Sequence, residues 1–240
     1  MIQVHNLTKE FNGQKVLNDL SLDISQGELF VILGRSGTGK SVLLKHLIGL
    51  LKPDFGTIYI DHIEITTLSE QELLKVRQHM GYLFQEGALY DFMSVYENIA
   101  FPLMEHTDMK PKEIKKRVQE VLALVDLSGV EDKMPSELSG GMKKRTGLAR
   151  AIALTTKVLF CDEPTSGLDP IRSRDISDLI RNISKKLNCT TIITSHDIDN
   201  TLRIADRVAI LEEGKIIALG TPKEIQDSKI PFVQEFVQNV

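Results

Sequence analysis

The sequence lacks the features that would place the chain across a membrane, in an oxidising compartment or on nucleic acid. No apolar run approaches the roughly 20 residues that a membrane-spanning helix needs. Residues 1–5 do not join a basic segment to an apolar one, so we expect no signal peptide. The two cysteines, Cys161 and Cys189, form neither a disulfide framework nor a metal-ligand spacing. A net charge of -4 argues against a basic binding face, and we therefore expect a cytosolic protein without a nucleic-acid partner.

The order of apolar segments predicts an α/β fold with a largely parallel core sheet. The chain has 240 residues, 42% of them hydrophobic, which suits one domain with a full core. Continuous apolar runs, typical of strands buried on both faces, alternate with helical patterns. The predicted core strands cover residues 29–33, 80–85, 157–163 and 190–194. An Asn12-Gly13 turn signal between two alternating segments predicts an antiparallel hairpin over residues 2–24.

Changes in periodicity divide the chain into predicted subdomains. Residues 86–155 show helical stripes and no strand pattern, which indicates a helical subdomain inserted into the core. Residues 1–85 and 156–229 form the core with its antiparallel β subdomain, and residues 230–240 form a tail. The basic stretch at residues 110–117 is interpreted as a solvated helix face.

A glycine-rich segment follows the first predicted core strand. Residues 34–41 read Gly-Arg-Ser-Gly-Thr-Gly-Lys-Ser and match the phosphate-binding pattern G-x-x-x-x-G-K-[ST] at every fixed position. A strand before it and a helix after it are the context that this P-loop requires. Lys40 would reach the β- and γ-phosphates of a nucleotide, and the Ser41 hydroxyl would bind Mg²⁺. The candidate nucleotide-binding residues of this segment are Gly34, Ser36, Gly37, Thr38, Gly39, Lys40, Ser41 and Val42. The alternative, a glycine-rich turn that only links a strand to a helix, does not account for the Lys-Ser pair.

Polar side chains follow three other predicted core strands. Asp162 and Glu163 end a buried strand, as in a Walker B motif, where the Asp holds Mg²⁺ and the adjacent carboxylate can act as a general base. Gln85 and His196 stand at or just past two further strand ends. Because the carboxyl ends of parallel strands meet at one edge of a sheet, we expect these residues beside the P-loop, with Gln85 a second Mg²⁺ ligand.

Phe11 stands directly before the predicted hairpin turn. A flat ring there could stack on a purine, or it could be a half-buried hairpin aromatic. Position alone leaves both interpretations open.

Two more segments give the chain a family resemblance. Residues 138–142, Leu-Ser-Gly-Gly-Met, resemble the signature motif of ABC ATPases, and residues 166–169, Ser-Gly-Leu-Asp, resemble their D-loop. With the P-loop, Gln85, the Asp-Glu pair and His196, six motifs occur in the order found in that family. The resemblance implies a P-loop ABC ATPase core with an antiparallel β subdomain and an inserted helical subdomain, and it implies ATP and Mg²⁺ as cofactors.

The resemblance also implies a mechanism. ABC ATPases work as head-to-tail dimers that hold two ATP molecules between the protomers. In such a homodimer Ser139, Gly140 and Gly141 would face the γ-phosphate on the partner's P-loop, and Asp169 would act across the same interface. Phe11 matches the family's adenine-stacking aromatic, and Val16 would line the base. Glu163, His196, Gln85 and Lys40 would be the catalytic residues; Met142 departs from the commoner Gln of the signature.

Within the family, the sequence is similar to the ATPases of the Mla subfamily. The similarity lies in residues 83–89 (LFQEGAL) and 134–142 (MPSELSGGM), with Val95, Asn98 and Pro102 between them. These ATPases support phospholipid transport between envelope membranes. The similarity implies an integral-membrane permease, an MCE-domain lipid-binding protein and in some systems a STAS-domain subunit as partners, at the cytoplasmic face of the inner membrane.

Two alternatives stay open beside this one. The ATPase could energise an importer or exporter of another small solute, because it does not itself contact the cargo. A non-transport ABC protein is disfavoured by the short distance between Lys40 and Ser139 and by the single ATPase domain. In the tail, Val233, Phe236, Val237 and Val240 form one helical stripe, which would dock on the chain's own core or on a neighbouring subunit.

Overall fold

An antiparallel hairpin begins the chain in the computed structural model, which describes residues 1–238. Strand β1 spans Ile2–Phe11 and β2 spans Gln14–Ile24. The turn residues Asn12 and Gly13 both have positive φ, 51° and 82°, which matches the twist that a two-residue hairpin needs. Strands β4 (Phe55–Ile60) and β5 (Ile63–Glu64) complete a sheet in the order β2-β1-β4-β5. The hairpin prediction is confirmed, whereas the two-residue β5 gave no sequence signal.

The chain separates into two compact units. The first comprises Met1–Val76 and the part of the chain from Thr190 onward; the second is Arg77–Cys189. These units cut the chain at different places from the predicted subdomains, whose boundaries stay predictions.

The first unit contains a second group of strands around the buried strand β3 (Leu29–Leu33). Strands β8 (Thr190–Ser195) and β9 (Arg207–Glu212) pair with β3 in parallel, and β10 (Lys215–Gly220) pairs antiparallel with β9. All residues of β3 and β8 are buried, which explains their continuous apolar or small side chains. The helices of this unit are α1 (Lys40–Leu47), α2 (Glu70–Arg77, which ends at the boundary), α7 (Ile198–Ile204), α8 (Pro222–Gln226) and α9 (Pro231–Gln238).

The second unit consists of a parallel strand pair and four helices. Strands β6 (Met80–Leu83) and β7 (Val158–Asp162) pair from Met80↔Val158 to Leu83↔Cys161. Between them the structure has no strand, as the helical periodicity predicted. The helices are α3 (Val95–His106), α4 (Pro111–Leu124), α5 (Gly140–Ala151) and, after β7, α6 (Pro170–Leu187), with a short 3₁₀ helix at Pro135–Glu137.

Helix starts in the second unit follow the general capping rules of α-helices. Ser94 accepts a hydrogen bond from the Glu97 amide at the start of α3, and the Glu97 carboxylate bonds back to the Ser94 amide at 2.7 Å. Pro111 and Pro170 occupy the first turns of α4 and α6, where a missing N–H costs nothing.

The tail forms helix α9 within the first unit. Val233 is fully buried, and the rings of Phe232 and Phe236 stack with centroids 6.0 Å apart. The guanidinium of the P-loop residue Arg35 lies 5.2 Å from the Phe232 ring centre. The tail therefore contacts its own unit through Phe232; Val240 of the predicted stripe lies outside the described residues. In residues 1–238, every helix is too short or too polar to cross a bilayer.

His46 gives the first unit a testable pH dependence. Its side chain is fully buried on α1, and Nδ1 donates to the Val42 carbonyl at 2.7 Å. Burial lowers the pKa of His46, and the positive charge of Lys9 acts in the same direction. As the pH falls below about 6.5, His46 is therefore protonated in the unfolded chain before it is protonated in the folded protein. The free energy of unfolding decreases from that pH down to the lower pKa of His46 in the folded state.

We expect the wild-type protein to lose more stability between pH 7.5 and 5.5 than a His46→Leu variant. Urea unfolding at several pH values measures this difference, because the midpoint shifts with the free energy of unfolding. Parallel pH dependences for the two proteins would show that His46 does not contribute.

Candidate functional site

The P-loop is held by backbone contacts that only glycine permits. Gly39 has φ +102°, and a Cβ on it would lie 2.8 Å from the Val16 carbonyl oxygen. A Cβ on Gly34 would lie 2.5 Å from the Leu211 carbonyl oxygen. The loop is therefore packed between the start of β2 and the end of β9, and a side chain at either position would push it out of place.

Lys40 places a buried ammonium group at the centre of this loop. Lys40 is 4% exposed, and its Nζ donates to the carbonyl oxygens of Gly34 at 2.8 Å and Arg35 at 2.9 Å. The Thr38 hydroxyl donates to the same Arg35 oxygen at 2.9 Å, which closes the loop on itself. The loop is thus folded around a positive charge.

Helix α1 starts at this charge. The Leu43 amide bonds to the Gly39 carbonyl, so the amides of the residues just before it have no partner one turn back in the helix. Ser41 and Val42 lie in this first turn, and Ser36 and Gly37 are exposed on the loop. The first turn of a helix, its dipole and an ammonium group together make a site for an anion such as a phosphate.

The other predicted site residues of the first unit lie on neighbouring elements. The Gly34 amide bonds to the Ser195 carbonyl at 3.3 Å, so His196, which follows β8, begins beside the P-loop, as the strand-end argument predicted. Val16 lines the Gly39 side of the loop. Phe11 ends β1 with 41% of its surface exposed, and the Lys9 ammonium lies 5.4 Å from its ring centre.

In the second unit, two strands that pair with each other lead to the predicted site residues: Asp162 ends β7, Glu163 follows it, and Gln85 follows β6. Asp162 is 8% exposed and accepts a hydrogen bond from the Tyr82 hydroxyl at 3.2 Å. Burial, and then the negative charge of Asp162, raise the pKa of Tyr82, so the phenol stays a donor. Glu163 adopts the left-handed conformation, φ +43°, where the strand turns away. The Gln85 side-chain amide donates to the Ser166 hydroxyl at 3.1 Å, which links it to the predicted D-loop.

The signature and D-loop residues begin two helices. Ser139 is the N-cap of α5, and its hydroxyl accepts from the Met142 amide at 3.3 Å. Gly140 and Gly141 form the first turn, where an added Cβ would meet at most Leu168 at 3.9 Å. Asp169 caps α6 by accepting from the Arg172 amide at 3.0 Å. Ser139 and Asp169 therefore have structural roles as caps in addition to the roles expected from the resemblance.

Three residues of this unit were missed by the sequence analysis. Lys144, which is 6% exposed, donates to the Gln85 carbonyl, and Arg150 donates to the carbonyls of Gly87 at 3.0 Å and Ala88 at 2.9 Å. Burial lowers the pKa of Lys144. Both cations lie on α5, whose N-cap is Ser139, and through them this helix holds the main chain after β6. No sequence pattern marked these two residues. Tyr82, the third, carries no motif.

Comparison with known proteins places the chain in a family. A family model described as ABC transporter matches residues 17–166. The chain is 45% identical over 98% of its length to a probable ribonucleotide transport ATP-binding protein, mkl, of Mycobacterium tuberculosis, and it spans 66% of that protein. It is 43% identical, over its whole length, to the methionine import ATP-binding protein MetN of Carboxydothermus hydrogenoformans, of which it covers 72%.

One relative matches over nearly the full length of both chains. The intermembrane phospholipid transport system ATP-binding protein MlaF of Haemophilus influenzae is 42% identical over 99% of this chain and 90% of its own length. Among solved structures, the ATP-binding cassette MJ0796, a dimer in a post-hydrolysis state bound to ADP and Pi, superposes with a TM-score of 0.85 at 30% identity. That match covers 92% of this chain and 99% of the other. The α/β fold with its antiparallel sheet and the closely packed P-loop glycines agree with these matches. The family model and the relatives show that the chain belongs to the ABC transporter ATPase family.

Proposed function

We propose that the chain binds MgATP through the P-loop and hydrolyses it to drive an ABC transporter. The observation that carries the proposal is the buried Lys40 ammonium, held by two loop carbonyls at the start of α1. These groups fit a nucleotide triphosphate, whose phosphates would take up the amides and the ammonium of Lys40. The main chain that surrounds the phosphates in this proposal belongs to Gly34, Ser36, Gly37, Thr38 and Gly39.

We propose Mg²⁺ as the second cofactor, as the family resemblance implies; when bound it would supply charge neutralisation at the β- and γ-phosphates. The ligands in this proposal are the Ser41 hydroxyl, the nearly buried Asp162 carboxylate and Gln85, all oxygen donors of the kind that Mg²⁺ prefers. Tyr82 keeps Asp162 in place by donating to it.

Hydrolysis needs a group that orients and deprotonates water. Glu163 fills this role because its carboxylate follows Asp162 at the strand end and can accept the proton. His196 and Gln85 would position the water and the γ-phosphate. Phe11 would stack on the adenine, with Val16 along its edge.

We further propose that two copies of the chain close on two ATP molecules. The relative MJ0796 is dimeric in its solved structure, which supports this assembly. In the closed dimer Ser139, Gly140 and Gly141 present the start of α5 to the γ-phosphate on the partner's P-loop, where a helix N-terminus favours an anion. Asp169 acts across the same interface. The small residues in the first turn of α5 leave room for such an approach.

For the transported cargo we propose phospholipid, moved between envelope membranes with an MCE-domain system. The match to MlaF over 99% of this chain supports this assignment, as does the resemblance of residues 83–89 and 134–142 to the Mla ATPases. The ATPase would then sit on the cytoplasmic face of the inner membrane against a permease, with an MCE-domain protein and in some systems a STAS-domain subunit as further partners.

The second unit offers a surface for the permease. Tyr90 contacts both Phe92 and Phe101, with ring centres 5.8 and 5.5 Å apart. Phe92 is 76% exposed and Met104 54% exposed. An exposed aromatic and methionine surface of this kind is typical of a protein interface.

The second candidate function is import of a polar small solute. The names of MetN and mkl, which specify methionine and ribonucleotide transport, favour it at an identity similar to that of MlaF. The permease and the binding protein, and not this chain, would determine which cargo is transported.

A Glu163→Gln variant should bind ATP, hydrolyse it at least 100-fold more slowly than wild type and accumulate as an ATP-bound dimer, because amide nitrogen cannot accept the water's proton. Size-exclusion chromatography and phosphate release measure the two effects. Lys40→Ala is the matched control, since it should lose ATP affinity and remain monomeric with ATP. Rapid turnover by Glu163→Gln would remove Glu163 from the role of general base.

The cargo is tested by purifying the tagged chain from its native membranes in mild detergent. We expect a permease, an MCE-domain protein and bound phospholipid by mass spectrometry, together with ATPase activity that responds to phospholipid and not to methionine or ribonucleotides. A permease recovered with a different soluble binding protein and no specific lipid would keep the transport ATPase and contradict the phospholipid assignment.

A further inference from the structure

The end of β1 that carries Phe11 pairs with only one of the two strands that flank the rest of β1. Strand β1 pairs with β4 as far as Thr8↔Phe55, and beyond Thr8 it pairs only with β2. That remaining pairing is irregular, with register shifts on both sides of Lys9. A strand end held on one side by an irregular ladder has fewer backbone hydrogen bonds to fix a ring that must stack on a base.

The side chain of Asp54 takes the place of the missing strand. Its Oδ2 accepts a hydrogen bond from the Glu10 amide at 2.7 Å, and its own amide donates to the Thr8 carbonyl at 2.9 Å. Its Oδ1 is 2.9 Å from the Lys9 ammonium. Asp54 thus contacts three successive residues of β1, which immediately precede Phe11.

Lys9 connects this carboxylate to the ring. Its side chain is 16% exposed, and Nζ lies both against Asp54 and 5.4 Å from the Phe11 ring centre. A cation near a ring of this kind is attracted to its π-electrons, and the ion pair fixes where the cation sits. The contact restrains the Phe11 side chain, which is 41% exposed.

Asp54 also belongs to the segment that leaves the P-loop helix. Helix α1 ends at Leu47, and the Gly49, Leu50 and Leu51 amides bond back to its last turn before the chain reaches Asp54. The segment that follows the P-loop helix therefore leads directly to the support of the Phe11 ring.

We propose that Lys9 and Asp54 are positioning residues for nucleotide binding, which hold Phe11 in the orientation that stacks on the base. This inference rests on the proposed role of Phe11 as the base-stacking ring. It predicts that loss of either residue weakens the interaction with the base and leaves the interaction with the phosphates unchanged.

The test compares MgATP with magnesium tripolyphosphate, which has the phosphates and no base, by isothermal titration calorimetry on the full chain. Phe11→Ala should weaken ATP binding about 10-fold, as expected for one base–aromatic stack, without affecting tripolyphosphate. Lys9→Met, which keeps the apolar stem, and Asp54→Ala should each weaken ATP binding about 3- to 5-fold with unchanged tripolyphosphate binding. Asp61→Asn, a change of an exposed carboxylate in the β4–β5 turn of the same sheet, is the matched control and should behave like wild type.

A double variant separates positioning from general damage. In the Phe11→Ala background, Lys9→Met should have no further effect on ATP affinity, because the ring that it positions is gone. Equal weakening of ATP and tripolyphosphate binding, or additive effects in the double variant, would overturn the inference. If Phe11→Ala weakens ATP binding and the Lys9 and Asp54 variants do not, the positioning role alone fails. If Phe11→Ala has no effect, the base-stacking role and this inference fail together.

Discussion

The close packing of the P-loop backbone is the constraint on which the nucleotide site depends. Gly34 and Gly39 approach other main-chain carbonyls more closely than any residue with a Cβ could. This approach fixes the loop around the Lys40 ammonium and sets the start of α1. The buried strand β3, with β8 and β9 on either side, is the rigid base that makes such precision possible. A less rigid strand would not hold the Lys40 ammonium and the start of α1 at a fixed distance from each other.

Three helix N-termini carry predicted site residues. Helix α1 begins at the P-loop, and Ser139 and Asp169 are the N-caps of α5 and α6. In α5 and α6 the side chain that caps the helix is also the residue expected to work across the dimer interface. A substitution there changes the local helix start together with any contact to the partner, so the loss of activity in such a variant reports on both.

The fold and the motif positions were largely predictable because their signals are local. The buried run at Leu29–Leu33, the Asn12-Gly13 turn and the P-loop pattern at residues 34–41 each specify structure within a few residues. The contacts of Lys144 and Arg150 with the segment after β6 were not predictable, because they join residues 59 to 63 positions apart. The support of Phe11 by Asp54, 44 to 46 positions along the chain from Thr8, Lys9 and Glu10, could not be predicted for the same reason. Motifs locate the groups that meet a ligand, whereas the residues that hold those groups in place depend on tertiary packing.

Hydrogen exchange of the backbone amides, with and without MgATP, tests the central claim most directly. If the P-loop amides cradle the triphosphate, ATP should slow exchange across residues 36–42, and AMP at the same occupancy should slow it far less. Unchanged exchange across this segment at saturating ATP would contradict the account, because the phosphates would then be bound somewhere else.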